Sequence, residues 1–302
     1  MSRILVTGGR GLIGSNLVSK LVSNGNEVVV VDDGSTGSHK PAGALLVEHN
    51  IVNPLPYLGK FQHVYNLACP ASPVAYQNIQ EHTWKTSTIG IVNVVDYIKL
   101  YCPDSTLLHT STSEIYGDPL EHPQTESYWG NVNPIGARSC YDEGKRAVES
   151  FLVLQKDLNV RIARLFNTYG PGLALNDGRV VSNFIVQALK GESLTIYGTG
   201  KQTRSFCYVD DTVSGLCLLM NSNLTTPVNI GNPQECNMLY LANLIIKHVD
   251  GKSKVIMSPM PMDDPSRRKP DISLAKEKLG WSPKVMLDEG LRRTIDWFKT
   301  RV

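Results

Sequence analysis

The sequence of 302 residues predicts an α/β fold, with a doubly wound parallel sheet followed by a smaller C-terminal mixed α/β lobe. Strand-length apolar runs alternate with helical patterns through the first half, which is typical of right-handed crossovers and a parallel sheet. A glycine-rich turn separates the first strand from the first helix. The alternation loosens after about Gly170. We therefore expect one domain over residues 1–168 and a second over residues 169–302.

The first half is predicted from its apolar periodicity. The predicted strands are RILVTG, EVVVVDD, HVYNLAC, STLLHTS and VRIARL. The predicted helices are LIGSNLVSKLVSNG, TWKTSTIGIVNVVDYIKLY and SCYDEGKRAVESFLVLQKDL. Gly25 provides a stop signal for the first of these helices.

The second half mixes helices with short strands. The predicted helices are GRVVSNFIVQALKG, DDTVSGLCLLMNS and NMLYLANLIIKHV, and the predicted strands are LTIYG and PVNIG. The segment SPMPMDDPSRRKPD reads as a Pro-rich loop. We expect a cleft between the two lobes, because ligands bind preferentially at such junctions.

Composition excludes several functional classes. Hydrophobic residues make up 41% and charged residues 19%, which is typical of a soluble globular protein, and the net charge is +2. We therefore expect no nucleic-acid or membrane partner. The start MSRILVTGG lacks a signal-peptide pattern, which predicts a cytoplasmic location. The six cysteines form no C-x-x-C pair or Cys/His cluster, so we predict reduced thiols and no metal site.

The segment TGGRGLIGS predicts a phosphate-binding loop. Gly9, Gly11 and Gly14 satisfy G-x-G-x-x-G, and Gly8, Gly11 and Gly14 satisfy G-x-x-G-x-x-G. Glycines permit a tight turn and let backbone N–H groups approach a pyrophosphate at a helix N-terminus. A lone glycine pattern is weak, but a strand precedes this one and a helix follows it. The pattern therefore predicts a dinucleotide-binding Rossmann domain.

The end of the second predicted strand indicates which dinucleotide binds. Asp32 is placed to bond the adenosine ribose hydroxyls. Asp33 adds a second carboxylate that would repel a 2′-phosphate, and the strand end carries no Arg. The sequence therefore predicts NAD as the cofactor rather than NADP.

Tyr141 and Lys145 stand four residues apart in YDEGK, which places both on one face of a helix. A nearby ammonium favours the phenolate, so we expect a lowered pKa for Tyr141. Such a phenolate is a plausible base for a sugar hydroxyl. An ordinary surface pair at this spacing is the alternative. The phosphate loop and the segment TSTSEIYGD, with four hydroxyls and the carboxylate of Glu114, favour catalysis.

These motifs resemble the extended short-chain dehydrogenases/reductases that act on nucleotide sugars, of the NAD-dependent epimerase/dehydratase type. The chain is most similar to the UDP-glucuronate decarboxylases, also called UDP-xylose synthases. The resembling segments are PASPVAY, TSTSEIYGDPLEHPQTESYWGNVNPIGARSCYDEGKR, FNTYGP, NDGRVVSNFI, IYGTGKQTRSFCYV and RRKPDI. They span nearly the whole chain.

The resemblance implies oxidation at C4 of the sugar, loss of CO₂ from the 4-keto acid, and reduction to UDP-xylose with NAD regenerated. It implies that Tyr141 is the base and that Lys145 supports it. Thr112 would position the sugar O4. Ser113, Glu114 and Arg268 complete the implied catalytic set, although Arg267 and Arg268 are not distinguished by sequence.

The resemblance also implies binding residues. For the cofactor these are Gly8, Gly11, Leu12, Ile13, Gly14, Asp32, Asp33, Ser35, Thr36, Gly37, Asn50, Ile51, Leu67, Ala68, Thr86, Thr110, Tyr141, Lys145, Thr168 and Arg179. For the UDP-sugar they are Tyr76, Lys85, Glu114, Asn167, Arg179, Tyr197, Gln202, Arg204 and Arg268. It further implies a homodimer formed through helices around residues 84–100 and 141–158.

Sibling chemistries remain open at this point. The 4,6-dehydratases carry Asp-Glu after the Thr, and the 4-epimerases usually lack the acid, whereas this chain has Ser113-Glu114. That pair favours decarboxylation. The alternatives are a UDP-glucuronate 4-epimerase or another nucleotide-sugar epimerase or dehydratase and, more remotely, a non-catalytic NAD- and UDP-sugar-binding protein.

Overall fold

A computed structural model describes residues 1–249, 251–259 and 267–302. The strands of these residues are β1 (Arg3–Thr7), β2 (Glu27–Asp32), β3 (Leu45–Glu48), β4 (His63–Asn66), β5 (Thr106–Thr112), β6 (Asn159–Leu165), β7 (Thr168–Tyr169), β8 (Leu194–Tyr197), β9 (Thr203–Ser205), β10 (Cys207–Tyr208), β11 (Val228–Ile230), β12 (Glu235–Asn237), β13 (Val255–Ser258) and β14 (Arg267–Arg268).

The helices of the same residues follow in chain order. They are α1 (Leu12–Ser23), α2 (Pro73–Asn78), α3 (Gln80–Tyr101), α4 (Ser139–Val153), α5 (Val180–Leu189), α6 (Val209–Met220), α7 (Met238–Val249), α8 (Ser273–Leu279) and α9 (Leu287–Lys299). A 3₁₀ turn covers Ser113–Tyr116, directly after β5. The helix predicted over SCYDEGKRAVESFLVLQKDL was too long at its C-terminal end. Helix α4 ends at Val153, and the chain turns before it enters β6.

The main sheet confirms the predicted doubly wound parallel fold. Its described strands run in the order β11-β6-β5-β4-β1-β2-β3, and every neighbouring pair is parallel. The sequence did not predict β3, whose short strand is only partly buried. The seventh strand, β11, comes from the second half of the chain and pairs with β6.

Helices cover both faces of this sheet. Alternate side chains of β1 enter two different cores, since Ile4 and Val6 pack with Leu17 of α1, whereas Leu5 packs with Val94 of α3. This alternation follows from the two-residue period of a strand. Helices α1 and α6 pack together on one face, and α3 and α4 pack together on the other. The long helix pair α3–α4 therefore covers one face of the sheet.

The described residues also form small sheets besides the main one. The described strands pair as β12-β9-β14, β13-β8 and β10-β7. The predicted loop SPMPMDDPSRRKPD lies partly outside the described residues, which omit 260–266, while Arg267 and Arg268 form β14. Strand β14 runs parallel to β9, with Arg268 opposite Arg204.

A buried ion pair joins α4 to β6 beneath the site. The Arg164 guanidinium donates from Nη2 to Oε2 of Glu149 at 2.7 Å, and Nε donates to Oε1 at 3.0 Å. The hydroxyl of Ser111 on β5 donates to the same carboxylate at 2.5 Å. Both charged side chains are about nine-tenths buried. The Glu149–Arg164 pair therefore fixes the position of α4 relative to β5 and β6.

We expect Glu149→Gln to lower the free energy of unfolding by about 3–5 kcal/mol, because it leaves the Arg164 guanidinium buried without its anion. Urea unfolding of the purified protein measures this change. Glu143→Gln is the matched control on the same helix, since the Glu143–Arg146 pair at 3.6 Å is more than a third exposed. The control should change stability by less than about 1 kcal/mol. Equal losses in both variants would contradict the prediction.

Candidate active site

The glycine turn between β1 and α1 forms a backbone cradle. Gly8 has φ +73°, and a Cβ there would lie 2.6 Å from the Ala68 nitrogen. A Cβ on Gly14, in the first turn of α1, would lie 2.1 Å from the Gly8 carbonyl oxygen. Only glycine fits these contacts, which bring the turn and the helix N-terminus together. The arrangement fits a pyrophosphate group.

Most of the predicted cofactor residues line one groove that starts at this cradle. The lining includes Gly8, Gly11, Asp32, Asp33, Ser35, Thr36, Gly37, Asn50, Ile51, Leu67, Ala68 and Thr86. Leu12 and Ile13 open α1 beside it. Sequence reasoning missed His49 and Cys69, which also line the groove. Thr168 lies elsewhere, buried in β7, with its hydroxyl bonded to the Phe166 carbonyl at 3.1 Å.

Asp32 closes the groove at the end of β2. Its two carboxylate oxygens accept the N–H groups of Arg10 and Gly34, each at 2.9 Å. Burial raises the pKa of Asp32, and these two backbone hydrogen bonds oppose the rise. The side chain is therefore fixed at the edge of the groove, where it can face a ribose.

A cation does reach this strand end, contrary to the sequence expectation. The Arg10 guanidinium comes from the glycine turn rather than from the strand, and a Cβ on Gly34 would lie 2.9 Å from its Nη1. Arg10 also lies 3.6 Å from the Glu48 carboxylate and donates to the His39 carbonyl at 3.3 Å. The local pattern around Asp32 could not show this approach, because it depends on how the turn folds back.

Tyr141 and Lys145 point toward the end of β5 from α4. The Lys145 Nζ donates to the Thr110 carbonyl at 2.7 Å and lies 5.9 Å from the centre of the Tyr141 ring. The Thr112 hydroxyl hydrogen-bonds the Tyr141 phenol. All four side chains are buried, as is Ser113 at the start of the 3₁₀ turn. The predicted Tyr–Lys–Thr group is thus brought together.

The expected direction of the Tyr141 pKa was wrong for the protein without ligands. Burial raises the pKa of Tyr141 well above its ordinary value, and the Thr112 hydrogen bond only partly opposes this rise. Burial also lowers the pKa of Lys145. Helical spacing alone gave the position of the ammonium but not the loss of solvent around both groups.

Glu114 is held by two arginines. Arg268 places both Nη atoms on its carboxylate, with Nη2 at 2.9 Å from Oε2, and Arg138 places Nη2 at 2.5 Å from the same oxygen. Burial alone would raise the pKa of Glu114, but the guanidinium groups of Arg268 and Arg138 outweigh it and hold the pKa well below the usual range. Glu114 is therefore an anion at all ordinary pH values.

The structure distinguishes the two candidate arginines of β14. Arg268 is 4% exposed and contacts Glu114, whereas Arg267 is exposed. Arg138 was missed by sequence reasoning. It is the N-cap residue of α4, three residues before Tyr141, and that one-turn spacing was the signal available.

Hydrogen bonds from Gln124 fix the position of the chain next to Arg268. Gln124 is fully buried, its N–H donates to the Lys269 carbonyl at 2.9 Å, and its side-chain oxygen accepts the Lys269 N–H at 2.8 Å. Asp271 N–H donates to the Gln124 carbonyl at 2.8 Å. These bonds tie the loop after Glu114 to the residues that follow β14.

The remaining predicted substrate residues differ in position. Tyr76 stacks on Tyr141, with ring centres 5.1 Å apart, and Arg204 lies opposite Arg268 in the β9–β14 pair. Arg179 pairs with Asp177 through two hydrogen bonds.

The other predicted substrate residues have these described contacts. Lys85 pairs with Glu81 at 2.6 Å, and the Gln202 amide donates to the carbonyl of half-exposed Tyr197 at 2.6 Å. The Asn167 carbonyl accepts the Cys207 N–H.

The described residues contain neither a candidate metal cluster nor a helix that could span a membrane. Within residues 1–249, 251–259 and 267–302, no cluster of three His, Cys, Asp or Glu side chains is placed to hold a metal ion. Across the same ranges, no helix has the length and apolar character needed to cross a membrane.

Residues 4–231 match the NAD dependent epimerase/dehydratase family, and the chain belongs to that family. Its curated relatives carry a more particular name. UDP-glucuronic acid decarboxylase 3 of Arabidopsis thaliana is 51% identical, with 99% of this chain and 90% of that protein covered. UDP-glucuronic acid decarboxylase 1 of Xenopus tropicalis is 50% identical, with 98% and 72% covered. The resemblance that the motifs indicated is thereby confirmed.

A solved structure supports the fold at similar coverage. The UDP-glucose 4-epimerase of Thermotoga maritima, solved with UDP-glucose, superposes with a TM-score of 0.90 at 30% identity. The superposition covers 99% of each chain. The doubly wound fold is therefore shared with this epimerase.

Gly14→Ala should weaken NAD binding by at least about 100-fold, because its Cβ would collide with the Gly8 carbonyl and displace the cradle. Isothermal titration of the NAD-free protein measures the dissociation constant. Gly251→Ala is the matched control, since nothing lies within 3.8 Å of its Cβ. An unchanged dissociation constant in Gly14→Ala would show that the cradle does not hold the cofactor.

Proposed function

We propose that this protein catalyses the NAD-dependent decarboxylation of UDP-glucuronate to UDP-xylose, through a 4-keto sugar and with its bound NAD recycled. One observation carries the proposal: Glu114 follows Thr112 and Ser113 at the end of β5 and is held by Arg268 and Arg138 beside Tyr141. Curated relatives with the same activity in their names are about half identical over nearly the whole chain.

The residues present fit the cofactor. The backbone of Gly8, Gly11 and Gly14 would hold the pyrophosphate, and Asp32 would hold the adenosine ribose. Lys145 would support the nicotinamide ribose from its position beside Tyr141. When bound, NAD⁺ supplies a reversible hydride acceptor, which lets the enzyme oxidise and later reduce the same sugar carbon.

Tyr141 would accept the proton of the sugar O4 hydroxyl as that carbon is oxidised. Thr112 donates to the phenol oxygen and so favours its ionised form. Burial opposes this effect and raises the pKa of Tyr141. The Lys145 ammonium lies 5.9 Å from the centre of the Tyr141 ring and also favours the ionised phenol.

The 4-keto acid then loses CO₂. The bond from C5 to the carboxylate carbon breaks, its electron pair passes toward the C4 carbonyl, and C5 takes up a proton. Glu114 is a poor source of that proton, because its arginine partners hold it ionised. We infer that Glu114 positions Arg268 and Arg138 around the sugar carboxylate rather than acting as an acid. On this proposal, Glu114 positions the substrate through these two arginines.

Incubation of the purified protein with UDP-glucuronate should yield CO₂ and UDP-xylose, followed by NMR. Tyr141→Phe should slow the first oxidation by about 10²–10⁴-fold. Glu114→Gln should slow turnover at least about 100-fold while NAD stays bound, because two buried guanidinium groups lose their anion.

Product identity separates the alternatives. UDP-galacturonate would indicate a 4-epimerase, and binding of both ligands without any product would indicate a non-catalytic protein. A near-native rate in Glu114→Gln would remove Glu114 from the mechanism.

We also propose that the protein is a homodimer. The outer face of α3 exposes Trp84, Ile89 and Val92, and the adjacent end of α4 exposes Val153 and Leu154. Two neighbouring helices with exposed apolar side chains fit a two-fold four-helix contact. The cytoplasmic location stays a prediction.

Light scattering after size exclusion should give twice the mass of one chain for the wild type. Val92→Glu should give a monomer, because a buried unpaired charge would oppose association. Leu218→Glu, which places the same charge at an exposed leucine of α6, is the matched control and should remain dimeric. A monomeric wild type would contradict the proposal.

A further inference from the structure

Asp142 is a buried acid with no role in the steps above. It follows Tyr141 on α4 and is 6% exposed. One carboxylate oxygen, Oδ2, lies 3.9 Å from Nε of Arg138, which also holds Glu114. The other oxygen, Oδ1, has no hydrogen-bond partner among the described residues. A buried polar atom without a partner is destabilising, so the Oδ1 atom of Asp142 is available to a ligand that supplies the missing hydrogen bond.

Two more unsatisfied polar atoms belong to the same cluster. The Tyr76 hydroxyl and the Nε of Arg268 are buried and have no hydrogen-bond partner among the described residues. Arg268 contacts Glu114 directly, and the Tyr76 ring lies 5.9 Å from the Arg138 guanidinium. The Tyr76 hydroxyl and the Arg268 Nε–H are both hydrogen-bond donors. A ligand that completes this cluster must therefore present acceptors.

The protonation state of Asp142 decides whether its carboxyl can donate a hydrogen bond or only accept one. Burial and then the neighbouring charge of Glu114 raise the pKa of Asp142 to about 8, against the opposing effect of Arg138 and Arg268. At neutral pH the carboxyl is therefore mostly neutral and carries an O–H donor. The titratable and charged groups around it are Glu114, Arg268, Tyr76, Cys140 and Glu143, together with Arg138.

We infer that Asp142 is a further determinant of substrate binding: as a neutral acid it donates a hydrogen bond to the sugar carboxylate, and its ionisation expels that carboxylate. A carboxylate has acceptors only, so it matches three donors from Asp142, Tyr76 and Arg268. The inference rests on the proposed function, because it takes UDP-glucuronate as the ligand. It adds a pH-sensitive residue to the recognition of the acidic sugar.

The sign of the pH effect follows from the raised pKa. Below about pH 8 the neutral acid favours binding, and above it the ionised acid repels the substrate carboxylate. UDP-xylose has the same nucleotide but no carboxylate. Its affinity should therefore be insensitive to the ionisation of Asp142.

The test uses the NAD-bound enzyme in a Tyr141→Phe background, so that UDP-glucuronate binds without being converted. Isothermal titration from about pH 6.5 to about pH 9 gives the dissociation constants of UDP-glucuronate and UDP-xylose. Their ratio cancels any titration of the shared nucleotide. The preference for UDP-glucuronate should fall up to about tenfold between about pH 7 and about pH 9.

Asp142→Asn in the same background keeps a donor but removes the ionisation. It should keep the low-pH preference and make it independent of pH. Asp142→Leu removes both the donor and the ionisation, so its preference should be independent of pH and lower than that of Asp142→Asn. Asp210→Asn is the control, because it makes the same change at an exposed acid of α6, outside the Glu114 cluster, whose pKa is also raised. Its pH dependence should equal that of the background enzyme.

A pH-independent preference in the Tyr141→Phe enzyme would overturn the inference, even if Asp142→Asn failed to fold. A pH dependence that persists in Asp142→Asn would also overturn it. Conversion by the wild-type enzyme is measured separately. If UDP-glucuronate is converted but its preference does not change with pH, only the inference falls. If it is neither bound nor converted, the proposed function falls.

Discussion

The ion cluster around Glu114 is the interaction on which the site depends. Glu114 comes from the turn after β5, Arg138 from the start of α4, and Arg268 from β14 in the last part of the chain. Each of these charges would be costly to bury alone. Together they tie the nucleotide-binding sheet, the helix that carries Tyr141 and the second lobe to one point. Strand β14 therefore cannot shift relative to the turn after β5 without breaking a buried ion pair.

The support for this cluster is mainly polar rather than apolar. Gln124 holds the residues after β14 through backbone and side-chain bonds, and Asn229 on β11 donates to the Gln124 carbonyl at 3.0 Å. Below the cluster, Glu149 and Arg164 set the height of α4. Directional bonds of this kind fix a geometry more narrowly than packing does. The Glu114 cluster and α4 are consequently held by polar contacts from several elements.

Sequence reasoning was most successful where periodicity and spacing carry the information. The alternating apolar runs predicted the parallel sheet, and the glycine pattern predicted the cradle before α1. Strand β3 was not predicted, because its four residues are at most partly buried and do not alternate between apolar and polar side chains. The sequence did not indicate Arg138 or Asp142, because Arg138 joins Glu114 to Asp142 only when the first turn of α4 packs against the turn after β5. The pKa of Tyr141 depends on burial, which spacing does not reveal.

Strand β11 has a consequence for how the protein is made. It is the outermost strand of the main sheet, yet it is translated long after β6, its partner. Until Val228–Ile230 leaves the ribosome, β6 is an open edge with unpaired N–H and C=O groups, which invites pairing with other chains. The nucleotide-binding half therefore cannot complete its own sheet, and a fragment cut at residue 168 would be an aggregation hazard rather than a separable module.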